Sequence, residues 1–235
     1  MTVAQAGRQD AWMQRFREGS DAYRAWLKLT FEGSISTGWQ HGDSDPDDYP
    51  DNGWPDEERC FLLGALCQRA GEDLARYSDQ AAGYGLYFTF SNACSRMSEA
   101  LTEQTVERDL RVAAIRSLPI LYRDFFAVRF PTGQLDDRPG PLADCLYMLW
   151  DMAAFGFDLT DEQMSDIGED LLDVLAAILA MENVACTQSA LHGLNHKASK
   201  SARASKVIDE WLKAHPSISE ELRAEALAAR GGLSM

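Results

Sequence analysis

A chain of 235 residues that is 46% hydrophobic and 25% charged can bury a substantial core, and six Trp within a 10% aromatic share exclude a disordered polymer. No run approaches the roughly 18–20 apolar residues of a membrane span, and the opening MTVAQAGRQDAWMQRF lacks the apolar stretch of a secretory signal, so a cytoplasmic protein is expected. The net charge of −15, from 37 acidic against 22 basic residues, disfavours direct nucleic-acid binding because the overall field repels phosphate.

In chain order, residues 9–31 place Trp12, Phe16, Tyr23, Trp26, Leu27 and Phe31 mainly three, four and seven apart, which predicts an amphipathic N-terminal helix region within 1–33. Gly, Pro and Asp break the pattern over 34–58. The end of that stretch, DSDPDDYPDNGWPDEE (Asp43 to Glu58), holds eight carboxylates and three prolines and reads as a loop. Pro55 with Asp56, Glu57 and Glu58 marks the next helix entry, acids facing the N-terminal dipole. From residue 59 to 235 the chain reads as a helical body on which the N-terminal helix packs. ERCFLLGALCQRAGEDLARYSD is helical; GLYFTFSNACSRMSEAL could begin as a strand, but its length and small residues favour helix. VERDLRVAAIRSLPILYRDFFAVRF is one helix interrupted at Pro119 or two short ones. PTGQLDDRPGP is a linker, and LADCLYMLWDMAAF a buried helix. Thr160 and Gln163 fit a capping box ahead of a wide apolar face running from Ile167 to Leu179, and Ser217 to Glu220 offers another. Gly231 and Gly232 close the last helix.

Two stretches resemble HEAT-type repeats. Arg111-Val-Ala-Ala-Ile-Arg-Ser-Leu118 is similar to the R-x-A-A-I-x-A-L core of such repeats. Val184 to His196, VACTQSALHGLNH, resembles the A-C-Q-x-S-A-L-H-G-L-G-H box of poorly characterised bacterial HEAT-like proteins, with Asn195 in place of the usual Gly. Ile208, Trp211 and Leu212, then Leu222, Arg223, Ala226, Ala229 and Gly231, follow the continuation of that pattern. The resemblance covers about the last third of the chain and one central helix. It implies an all-α, HEAT-like layered domain of about seven to nine helices and no established activity.

His192 and His196 stand at i and i+4, a spacing at which two imidazoles can share a metal. Gly193 occupies the place of the glutamate in HExxH, and a third ligand would have to be Cys186, Asp209 or His215. The preferred reading is therefore structural: His192 bonds or caps a neighbouring turn while Gly193 admits a close helix, leaving the pair as weak metal candidates. Lys197, Lys200, Arg203 and Lys206 step by three and read as a solvated loop and helix start, an anion patch being the rival. Those charges could equally anchor the chain's own acidic loop. Glu169, Asp170 and Asp173 read as a solvated face. The five cysteines form no CxxC pair and fall within apolar stripes, as reduced core residues do.

No GxSxG, Walker loop or GxGxxG is present, so no catalytic residue and no cofactor is assigned. Asp43, Asp45 and Asp47 alternate like calcium ligands, but Asp48 replaces the required Gly and Trp54 the bidentate Glu. The expected role is a non-enzymatic acidic scaffold that binds a basic protein partner, such as an immunity or inhibitor protein against a toxin or nucleic-acid enzyme. Its contact would be Asp43, Asp45, Asp47, Asp48, Tyr49, Asp51, Trp54, Asp56 and Glu57. The alternatives are a metal-dependent enzyme using His192 and His196, or an assembly subunit forming a homo-oligomer.

Overall fold

The computed structural model describes residues 3–32, 53–131, 133, 135, 139–156 and 159–232. Ten helices of eight residues or more run through them, and no strand occurs among the described residues. They are α1 (Val3–Glu18), α2 (Asp21–Glu32), α3 (Asp56–Asp73), α4 (Asp79–Phe90), α5 (Arg108–Ile115), α6 (Pro141–Met152), α7 (Asp161–Leu179), α8 (Val184–Ala198), α9 (Ala202–Ala214) and α10 (Glu220–Arg230). The stripe over 9–31 is thus two helices, not one. Gly19, at φ +66°, takes the left-handed conformation that ends α1, and the Ser20 hydroxyl caps the next helix by accepting from the Tyr23 amide at 3.0 Å. The expected count of seven to nine falls short partly for this reason.

Local signals hold at most other ends. Pro55 is the extended N-cap of α3, and Asp56, Glu57 and Glu58 fill its first turn. Thr160 and Gln163 make the full reciprocal box at α7. At α10 the cap is Ser219, two residues later than expected, accepting from the Leu222 amide at 3.2 Å. The aromatic stretch Tyr84 to Phe90 is helical throughout α4, which Ser78 caps. Pro119 falls in the short helix Leu118–Leu121, and the chain continues through a π-turn, Tyr122–Phe126, so the segment is interrupted as expected.

α1 packs on α3 and α5, and α2 on α4. α4 in turn packs on α6, and α8 is surrounded by α6, α7, α9 and α10. One contiguous core joins these layers, from Phe16 and Trp26 at one end to Trp150, Leu175 and Leu191 at the other. All five cysteines are free and buried, and burial pushes the Cys186 thiol up to about 12. No described helix is long and apolar enough to cross a membrane.

Of the acids of α7 expected on a solvated face, Glu169 and Asp173 are exposed and Asp170 is not. Asp170 is buried and accepts from Arg108 at 2.9 Å and from Arg116 at 2.7 Å, while Arg111 reaches Asp166 at 2.6 Å. These pairs clamp α5 to α7. Asp170→Asn is expected to cost about 1–2 kcal/mol, the partial exposure of both arginines limiting the loss. A urea midpoint unchanged from wild type would contradict that role.

Candidate metal centre

α6 and α8 build the site. α6 opens with Pro141 at its first turn, and its twelve residues, PLADCLYMLWDM, carry two acids and no base. α8 is set in register by Asn183, whose side-chain oxygen accepts from the Cys186 amide at 3.1 Å while its amide nitrogen donates to the Phe130 carbonyl at 2.8 Å. A buried polar chain ties the two helices. The Ser189 hydroxyl donates to the Leu146 carbonyl at 2.7 Å, which leaves it to accept from the Tyr122 hydroxyl at 2.8 Å.

Gly193 controls the approach. A Cβ there would lie 2.6 Å from Leu175 Cδ2 and 2.8 Å from the Trp150 ring, so only glycine lets that indole lie flush on α8. The expected close packing is therefore present. Gly193→Ala forces the rings and Leu175 apart and is expected to cost about 1–3 kcal/mol, read as a lower thermal midpoint. A midpoint equal to wild type would show that the seam has slack.

With Trp150 seated under Gly193, the next residue, Asp151, meets both histidines. Its Oδ2 lies 2.8 Å from His192 Nε2 and its Oδ1 2.6 Å from His196 Nε2. The three side chains offer ligand atoms that all lie within 4.8 Å of one another, a group that could close on one ion. His192 is 6% exposed, yet neither of its ring nitrogens makes a hydrogen bond among the described residues. The expected bond from His192 to a neighbouring turn is absent among the described residues. Its Nε2 instead lies close to Asp151 and His196. Asp151 and His196 are half-buried, while the Nε2 atoms of both histidines are shut off from solvent.

The electrostatics suit ligation. Burial pulls the His196 pKa below the usual histidine value, and His192 beside it adds to this, while Asp151 opposes both. A neutral imidazole is the form that binds a metal. The residue placed beside the two histidines is Asp151, and none of the three named from sequence. Cys186 lies in the core, Asp209 pairs with Arg230, and the His215 ring meets the Trp211 carbonyl. One signal pointed to Asp151: it is one of two charges in an otherwise uncharged, buried helix.

The basic ladder does not form an anion patch. Lys197 is buried within α8 and its Nζ donates to the Phe155 carbonyl at 3.1 Å. Lys200 donates to the Leu159 carbonyl at 2.8 Å, Arg203 pairs with Glu169 and Asp173, and Lys206 approaches Glu210. These bonds fasten the turn after α6 and the flank of α7 to α8 and α9. Of the acidic segment, Asp43, Asp45, Asp47, Asp48, Tyr49 and Asp51 lie outside the described residues. Trp54 is half-buried against the core, Asp56 pairs with Arg59 at 2.9 Å, and Glu57 is exposed. No family model, curated protein or solved structure matches this chain.

Proposed function

We propose that the chain is a metal-dependent protein whose working centre is a divalent first-row transition-metal ion, zinc or iron, held by Asp151, His192 and His196. The observation that carries this is His192, buried and without a hydrogen bond among the described residues, its Nε2 2.8 Å from Asp151 and its ring beside His196. Two histidines and one carboxylate leave coordination positions open, as in catalytic sites, whereas structural zinc sites close with four protein ligands. An ion so placed would polarise a bound ligand or lower the pKa of a bound water towards about 7. Competition between the purified protein and a chromophoric chelator for zinc tests the assignment. One tight equivalent, weakened in Asp151→Asn, supports it; no binding, or binding indifferent to that change, contradicts it.

The helix pairs are read as HEAT-like layers, on the strength of the Arg111 to Leu118 and Val184 to His196 patterns, and a reducing, cytosolic setting fits the buried free thiols. A second reading, a basic protein partner such as a toxin held by the acidic segment, is favoured by the net charge of −15. It calls for an association whose rate falls steeply with salt, and one insensitive to salt argues against it.

A further inference from the structure

Beside the histidines lies a cavity of about 410 Å³, lined among others by Leu135, Ala143, Asp144, Tyr147, Met148 and Gln188. Its position follows from helical register. Tyr147 stands one turn before Asp151 on α6, and Gln188 one turn before His192 on α8, so the cavity begins about 6 Å along the same two faces. Tyr147 joins the two regions directly, its ring centroid 4.6 Å from that of His192 in an edge-on contact.

Among the described residues that line it, Asp144 is the charged one and no Lys or Arg occurs. Asp144, exposed at its rim, makes no ion pair among the described residues. Glu225 of α10 stands behind Gln188 and accepts from its amide at 3.1 Å, and burial holds that carboxyl above the usual range. A carboxylate beside an aromatic ring is the chemistry that recognises an organic cation, and Leu135, Ala143 and Met148 supply an apolar wall for its stem.

We propose that this cavity binds a small organic amine, its ammonium group between Asp144 and the Tyr147 ring, and its other end directed towards Asp151, His192 and His196. The proposal names the ligand class for the metal reading and rests on that reading only for the placement of the far end. Calorimetric titration with phenethylamine, phenethyl alcohol and 3-phenylpropionate, on metal-free and zinc-loaded protein, tests it. The amine is expected to bind at least about tenfold more tightly than the alcohol in both forms, with the carboxylate weakest. Asp144→Asn and Tyr147→Leu should each remove about tenfold of the amine's affinity and leave that of the alcohol unchanged. Asp144 is exposed, so its replacement keeps the fold and the comparison valid. Equal binding of amine and alcohol, tighter binding of the carboxylate, or amine binding unchanged in both variants overturns the proposal. A protein that binds the amine but no zinc overturns the metal reading instead.

Discussion

Asp151→Asn and His192→Ala are each expected to weaken zinc binding by at least about 100-fold, since changes one shell further out already cost 10–100-fold. Asp151→Asn is the cleaner variant. It keeps the shape of the side chain, removes the charge, and sits half-buried where an amide is tolerated. His192→Ala opens space in a buried seam and needs a far-ultraviolet spectrum and a melting curve beside it. If the pair of imidazoles were only a packing feature, Asp151→Asn would leave metal affinity as it was. Zinc should also raise the thermal midpoint of the wild type, because an ion bound only by the folded state adds RT ln(1 + [L]/Kd) to stability. That rise should be lost in both variants.

The second large effect is structural. Trp150 is fully buried, lies edge-on to Phe155 with ring centroids 5.8 Å apart, and covers Gly193. Trp150→Ala removes a large aromatic from the point where α6 and α8 meet and is expected to cost about 3–5 kcal/mol. That is a large part of the roughly 5–15 kcal/mol that stabilises an ordinary domain. Equilibrium urea unfolding measures it, and a loss below about 1 kcal/mol would mean that the surrounding residues collapse into the space. The same variant should loosen the metal site, because the indole fixes where Asp151 stands against α8.

Helices were legible because their signals are local. Thr160 and Gln163 cap α7 by contacts three residues apart, Pro55 and its acids open α3, and the apolar face from Ile167 to Leu179 repeats with the helical period. Gly193 was legible as a close-packing residue for the same reason: its lack of a side chain is a property of one position. The break at Gly19 was harder to see, since the apolar spacing continues across it from Phe16 to Tyr23.

The site was half legible. His192 and His196 share a helix, so their spacing shows them on one face. Asp151 belongs to another helix, and nothing in its spacing to the histidines records that Trp150 under Gly193 delivers it there. The buried Lys197 and Asp170 were misread for a related reason. A charge looks solvated in sequence, and only the carbonyl of Phe155 or the guanidinium groups of Arg108 and Arg116 explain how these two are held inside.

Crystals grown with zinc and measured at its absorption edge would locate the ion directly. An anomalous peak about 2.0–2.2 Å from His192 Nε2, His196 Nε2 and an Asp151 oxygen is the predicted result. A map with no peak between α6 and α8, from crystals saturated with zinc, would contradict it.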